Sequence, residues 1–449
     1  MEPQQRNIVI IGGGIIGCTT AYYLTRHPSF DPALHRITLL EATAIASGAS
    51  GKAGGLLALW AYPECLVPLS YRLHRELAVE HGGAERWGYR RLGCGSLRAA
   101  VKSTDIKSKR EGHNSPSPPQ KENATPNGAA LPIQHAIADG QGEDKAWEKL
   151  PKQDEKASSL LQVSPLPADL DWIQNDLVHH YEEMGSPGFT ETSQVHPFQF
   201  TTSIADLAKE RGVDFRIGAM VTKINSTKSG VQSVEYEGRG TLNSGIIDHV
   251  TDVIVTAGPW TSRLLPRSKI EGLRAHSVVF NADVSPYAVF TDIQLPTEYV
   301  PEHRASKGQK RKHRGNVDPE IYARPGGEVY ACGEPDVMVP LPETADFVQC
   351  DEDQCDDLIA YIDTISPVLG AAPIKAKQAC YLPRHMRFGE ERAPLVGQTG
   401  VPGVWIAAGH TCWGIQNGPG TGCLMAEMLF DGEAKSANVE KLNPKKFKV

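Results

Sequence analysis

The residues whose spacing most directly implies chemistry in this chain are glycines. Gly12, Gly14 and Gly17 form a Gly-x-Gly-x-x-Gly run that follows the apolar stretch Ile8-Val-Ile-Ile11 without a break. A second apolar stretch, Ile37-Thr-Leu-Leu40, ends on an acid, Glu41. Strand, turn, helix and second strand are the parts of a βαβ unit that cradles an adenine dinucleotide. Gly12 allows the tight turn out of the strand. Gly14, lacking a Cβ, lets a pyrophosphate approach the backbone, and Gly17 lets helix and strand pack closely. The helix begins around Ile15 and Ile16, where free N–H groups and a partial positive charge face the phosphates. Glu41 can accept hydrogen bonds from both ribose hydroxyls, and its charge would repel a 2′-phosphate.

Other elements must position this cradle. Ser47-Gly-Ala-Ser-Gly-Lys-Ala-Gly-Gly55 is a second Gly/Ser-rich loop, and Ser47, Ser50, Lys52, Gly54, Gly55 and Leu56 are its candidate cofactor contacts. Helices are predicted from Pro68 to His81, from His196 to Arg211 with Gly212 as cap, and from Cys350 to Leu369. Arg90 to Ala99 reads as a strand. VDFRIGAMVTKI and VQSVEYEG read as a hairpin or small sheet, and alternation from Arg274 to Gly333 predicts an antiparallel sheet. Asp252 to Trp260 (DVIVTAGPW) and VPGVWIAAGH are two more buried strands. Gly418-Pro-Gly-Thr-Gly422 has the composition of a helix start and predicts a final helix ending near Gly432.

The 449-residue chain is long enough for two domains, and its net charge of −7 argues against general affinity for nucleic acid. Nine scattered cysteines show neither a Cys-x-x-Cys pair nor metal spacing, so no metal is expected and a reduced compartment fits. No membrane span, signal peptide, transit peptide or peroxisomal C-terminus is read, giving a cytoplasmic expectation. Residues 101–165 are polar and apolar-poor, an insertion read as disordered. The basic stretch Lys307 to Arg314 reads as a solvated loop tip.

Five segments, GGGIIG with Glu41, ASGASGKAGG, VTAGPW, IYARPGGEVYACG and GVWIAAGHTCWGI, follow one another in an order that resembles the FAD-dependent oxidoreductases of the D-amino-acid oxidase, glycine oxidase and sarcosine oxidase superfamily. The resemblance implies an α/β fold: a discontinuous Rossmann-like FAD-binding domain from 1–90, 190–265 and 392–449. A second, antiparallel-sheet α+β substrate domain would come from 91–189 and 266–391. It also implies one FAD, held by the cradle, the second loop, Val221, Gly258 and Trp260. Gly409, His410, Gly414 and Ile415 match the family's Gly-His-x-x-Gly-Ile pattern. Gly418 and Thr421 would sit at a helix N-terminus that stabilises charge on the reduced flavin. FAD is expected to be non-covalent, with a link through Cys380 as the alternative.

For substrate, the resemblance implies an amine or amino acid oxidised by hydride transfer to flavin N5, with O2 as acceptor. Tyr322 and Arg324 match the strand where D-amino-acid oxidases hold a Tyr and a carboxylate-binding Arg, while Arg324 reads equally as a surface hairpin residue. The Arg of the family's G-x-R-P run is Leu382 here, with Arg384 as a substitute and Tyr381 as a pocket residue. Trp413 replaces the Arg of glycine oxidases, and Ala331 aligns with the Lys that aids oxygen reduction in sarcosine oxidases. The alternatives are a dehydrogenase passing electrons to a quinone or protein, or a flavin-bound protein that serves only to bind a partner. Oligomeric state is not legible.

Overall fold

A computed structural model describes residues 5–106, 166–185, 191–312 and 315–449. Most of the polar insertion, and positions 313–314 of the basic loop, lie outside them. The insertion begins later than 101: Val101 is buried, its N–H is bonded to Gln294 and it packs with the apolar core, which resumes at Leu166.

A six-stranded sheet runs in the order Leu395–Gln398, Val404–Ala408, Asp252–Val255, Arg6–Ile11, His35–Glu41, Asp214–Ile217. Every pairing is parallel except that of the edge strand Leu395–Gln398. Strands such as Ile8-Val-Ile-Ile11 are apolar on both faces because a parallel sheet is covered on both sides. Asp214–Ile217 joins this sheet at its edge rather than the hairpin expected for it; the hairpin is Ala219–Thr227 with Gly230–Gly238.

The second large sheet has eight strands: Glu390–Arg392, Ile374–Arg387, Ile270–Asn281, Glu328–Cys332, Glu320–Arg324, Tyr287–Gln294, Gly93–Ala100 and Val178–Glu183. It is antiparallel apart from the pair formed by Tyr287–Gln294 and Gly93–Ala100. Its register places Phe290, Glu320 and Cys332 in one cross-strand row, and Tyr322 and Tyr330 in the next. Ala331, between them, faces the other way into the apolar core. It therefore points away from the face that carries Tyr322 and Tyr330.

The last helix is Gly414–Phe430, so it starts four residues before Gly418. The Gly-Pro-Gly-Thr-Gly run is a helix crossing instead. A Cβ at Gly418 would stand 2.7 Å from Ile15 Cγ1, and one at Gly422 2.5 Å from the Thr19 carbonyl carbon, so these glycines bring the last helix against the first, Ile15–Leu24. Pro419 lies inside the helix and has no N–H for the Ile415 carbonyl. His74 Nε2, 2.9 Å away on the Val67–His81 helix, supplies that hydrogen bond.

Candidate active site

The turn after the first strand puts Gly12 at φ +111°, where a Cβ would also meet the Thr256 carbonyl oxygen at 2.6 Å. A Cβ on Gly17 would stand 2.0 Å from the Gly12 oxygen. Gly17 is therefore a helix–strand contact and does not line the cavity above it. Gly12, Gly14, Ile15 and Ile16 do line that cavity, whose volume is ≈ 740 Å³. Glu41 ends the second strand at its rim. It accepts from the Gly13 N–H at 2.7 Å and from the Thr43 N–H at 2.8 Å, and a carboxylate keeps lone pairs beyond these.

The Ser47–Gly55 loop folds over the cradle. Ser50 Oγ accepts from the Ile15 N–H at 2.9 Å, capping one donor of the helix N-terminus. Lys52 Nζ donates to the Ala379 carbonyl at 2.9 Å, tying the loop to the Ile374–Arg387 strand. Ser47, Gly54, Gly55, Leu56, Val221, Gly258 and Trp260 line the same cavity, and Trp260 Nε1 also donates to Pro342 at 2.7 Å. At the far end of the chain Gly409, His410, Gly414 and Ile415 join the lining. The N-terminus of the last helix thus reaches the cavity at Gly414, not at Gly418. Gly418 and Thr421 are buried in the helix packing, and Thr421 Oγ1 is 3.0 Å from His410 Nε2. Burial drives His410 down to about 3, so it is neutral at physiological pH.

Four substrate residues were expected, and only Tyr322 lines the cavity. Arg324 is buried one row further along the sheet. Its guanidinium bonds to the Ala53 carbonyl, lies 3.4 Å from Glu328 and sits over the Tyr330 ring at 4.7 Å. Glu328 also meets Lys375 and His196; His196 leads the causes that bring its carboxyl down to about 2. Arg324 is thus already neutralised, clamping the second loop to the sheet. Tyr381 points off the opposite face of its strand from Cys380, and its hydroxyl donates to the Val339 carbonyl at 2.8 Å. Arg384 is outside the lining, whereas Leu382 is within it.

What the sequence reading missed is the wall of the antiparallel sheet: Phe290, Glu320, Tyr330 and Cys332, with Asp318 beside them. Once Tyr322 is placed facing inward, strand alternation points to Glu320, but the partner strands follow only from the register. Tyr322 donates its hydroxyl to Glu320 Oε2, and Cys332 Sγ lies 3.7 Å from the same oxygen. Burial raises the Glu320 carboxyl above its ordinary range. Cys380 also faces the cavity, and burial raises its thiol to about 11. Among the described residues no cluster of His, Cys, Asp and Glu could hold a metal, and no helix is long and apolar enough to cross a membrane.

A glycine cradle with a terminal acid, a covering loop and a second helix N-terminus on one cavity suit an extended dinucleotide that carries a redox ring. The chain belongs to the family described as FAD dependent oxidoreductase, whose model matches residues 7–428. TDA3 of Saccharomyces cerevisiae, named only for a conjectured oxidoreductase class, is 37% identical over 99% of this chain and 95% of its own length. Among solved structures, L-proline dehydrogenase from P. horikoshii superposes with a TM-score of 0.63 at 16% identity, covering 99% of this chain and 98% of that one. Glycine oxidase from Geobacillus kaustophilus gives 0.62 at 18% identity, covering 98% of each. At these identities the structural likeness is one of fold.

Proposed function

We propose that this FAD-dependent oxidoreductase oxidises a small amine or amino acid at the carbon bearing nitrogen. The observation that carries the proposal is a single cavity lined both by the dinucleotide cradle and by an aromatic and acidic wall. Gly12, Gly14 and the start of the first helix would hold the pyrophosphate, Glu41 the ribose, and the Ser47–Gly55 loop and Gly414 the flavin end. When bound, the flavin accepts the two electrons that leave the substrate as hydride. The nitrogen loses a proton, and the resulting imine is hydrolysed to a carbonyl compound and an amine or ammonia. The protein contributes position and field: Tyr322, Tyr330, Phe290 and Trp413 enclose the substrate, and Gly414 directs a helix N-terminus at the cavity.

Dioxygen is the proposed acceptor. Lys52 lines the cavity, and a cation held there would favour the negative charge that develops on oxygen. FAD is proposed to be non-covalent, because the Cys380 thiol, raised by burial, is protonated at neutral pH and a poor nucleophile. Acid precipitation should leave the yellow colour in the supernatant; a yellow pellet would favour a Cys380 link. The direct test is an anaerobic titration of the purified protein with D- and L-amino acids, N-methyl amino acids and simple amines. Bleaching of the flavin band by one class, reversed by air, is expected. Colourless protein that takes up no FAD, or flavin that none of these reduces, would overturn the proposal.

A further inference from the structure

We infer that the substrate is an organic cation without a carboxylate, its positive nitrogen held by Glu320 within an aromatic enclosure. This rests on the amine-oxidising reading above and narrows it. Three observations lead here.

First, Glu320 forms no ion pair among the described residues. Its hydrogen bonds, from Tyr322 and Cys332, both go to Oε2, leaving Oε1 for a ligand. Another carboxylate, Asp318, acts on it electrostatically in the same direction as burial. Second, the rings around it are aromatic. Phe290 and Tyr322 meet edge to face at 6.0 Å, and Tyr322 and Tyr330 are 5.8 Å apart. Trp413 lines the same cavity. A carboxylate among aromatic faces is the chemistry that selects ammonium and alkylammonium groups. Third, a fork for a substrate carboxylate is missing from this wall. Arg324 gives its terminal nitrogens to Ala53 and Glu328, with only Nε left unpartnered, and lies outside the cavity lining, and the position of a further expected Arg is Leu382. Of the two cations of the cavity, Arg263 donates to three main-chain carbonyls of another segment, and Lys52, which donates to Ala379, is a point charge and not a bidentate fork. Asp318 and Glu334 also line an adjoining cavity of ≈ 490 Å³, together with Asp292, Asp357 and one lysine, Lys312.

The test uses the holoprotein and two probes of one skeleton that cannot be oxidised, tert-butylammonium and pivalate, followed by the shift each causes in the flavin visible spectrum. The cation should bind at least about tenfold more tightly than the anion. Glu320→Gln should remove that preference while the FAD content stays unchanged. The wild-type comparison needs no variant, so it stands even if Glu320→Gln fails to fold. Pivalate binding as tightly as the cation would overturn the inference. So would silence from both probes, or a Glu320→Gln protein that retains the cation's affinity. If amino acids reduce the flavin and pivalate is preferred, the amine-oxidising reading survives and this inference alone falls; if the protein holds no flavin, that reading falls first.

Discussion

The two walls of the cavity are built from different material. The wall next to the parallel sheet is mainly backbone: Gly12, Gly14, the loop through Gly54 and Gly55, and the turn at Gly258. The wall from the antiparallel sheet is mainly side chains: Phe290, Glu320, Tyr322, Tyr330 and Cys332. Backbone recognition requires glycine at particular positions, since a Cβ at Gly12 or Gly17 would collide with main chain. Side-chain recognition tolerates many residue types and depends on which rows of the sheet face the ligand. The first wall suits what a whole family shares, the cofactor; the second is free to differ with each substrate.

The sharpest test of this contrast is Arg324, which was expected on the substrate wall and is found clamping the cofactor loop. Arg324→Leu removes one of three partners of the Glu328 carboxylate and the donor to the Ala53 carbonyl, and should cost about 3 kcal/mol of stability. In whatever protein remains folded, FAD retention should fall while the KM of a reducing substrate stays unchanged. A raised KM with full FAD content would return Arg324 to the substrate wall. Gly17→Ala comes next. Its Cβ would meet main chain at 2.0 Å, so a loss of about 3 kcal/mol is expected in thermal or denaturant unfolding, together with weaker FAD retention. Gly418→Ala, whose Cβ would meet the buried Ile15 side chain at Cγ1, should also cost stability, but less than Gly17→Ala because the contact is with a side chain and not main chain.

Acid should destabilise the protein through histidines packed around the last helix. Burial brings His74 down to about 4 and His410 to about 3. The unfolded chain binds these protons near pH 6.5 and the folded chain does not. Stability is therefore fully present above pH 6.5 and is lost as pH falls towards those values, by about 2 kcal/mol for each group at pH 5. His276 and His385 shift in the same direction. Urea midpoints measured from pH 7 to pH 5 should fall, and less steeply in His410→Asn. A flat profile would contradict the buried, neutral assignment. The smallest effect is expected for Ser50→Ala, which frees one N–H at the first helix and should cost about 1 kcal/mol, read as a small drop in melting temperature.

Much of the parallel sheet was legible because its signals are local. Apolar runs of strand length, the glycine spacing and the acid at Glu41 all lie within a short stretch of chain. Gly418 misled because a Gly-Pro-Gly run normally opens a helix. Here the missing N–H of Pro419 is made good by His74, hundreds of residues earlier, so the helix runs through it. Ala331 and Tyr381 were misplaced by reading position along a strand without knowing its face. Arg324 does share a face with Tyr322, but the Ala53 carbonyl that accepts its hydrogen bond comes from another part of the chain.

By itself the amino-acid sequence determined the dinucleotide cradle, the strands that flank it and the family resemblance, because close backbone approach restricts residue identity directly. The tertiary structure alone decided where the last helix begins, that Arg324 bonds Ala53 and Glu328, and that Glu320 has no ion pair among the described residues while aromatic rings line the same cavity. Those depend on register and on contacts between distant segments, and neither leaves a mark on any single residue type.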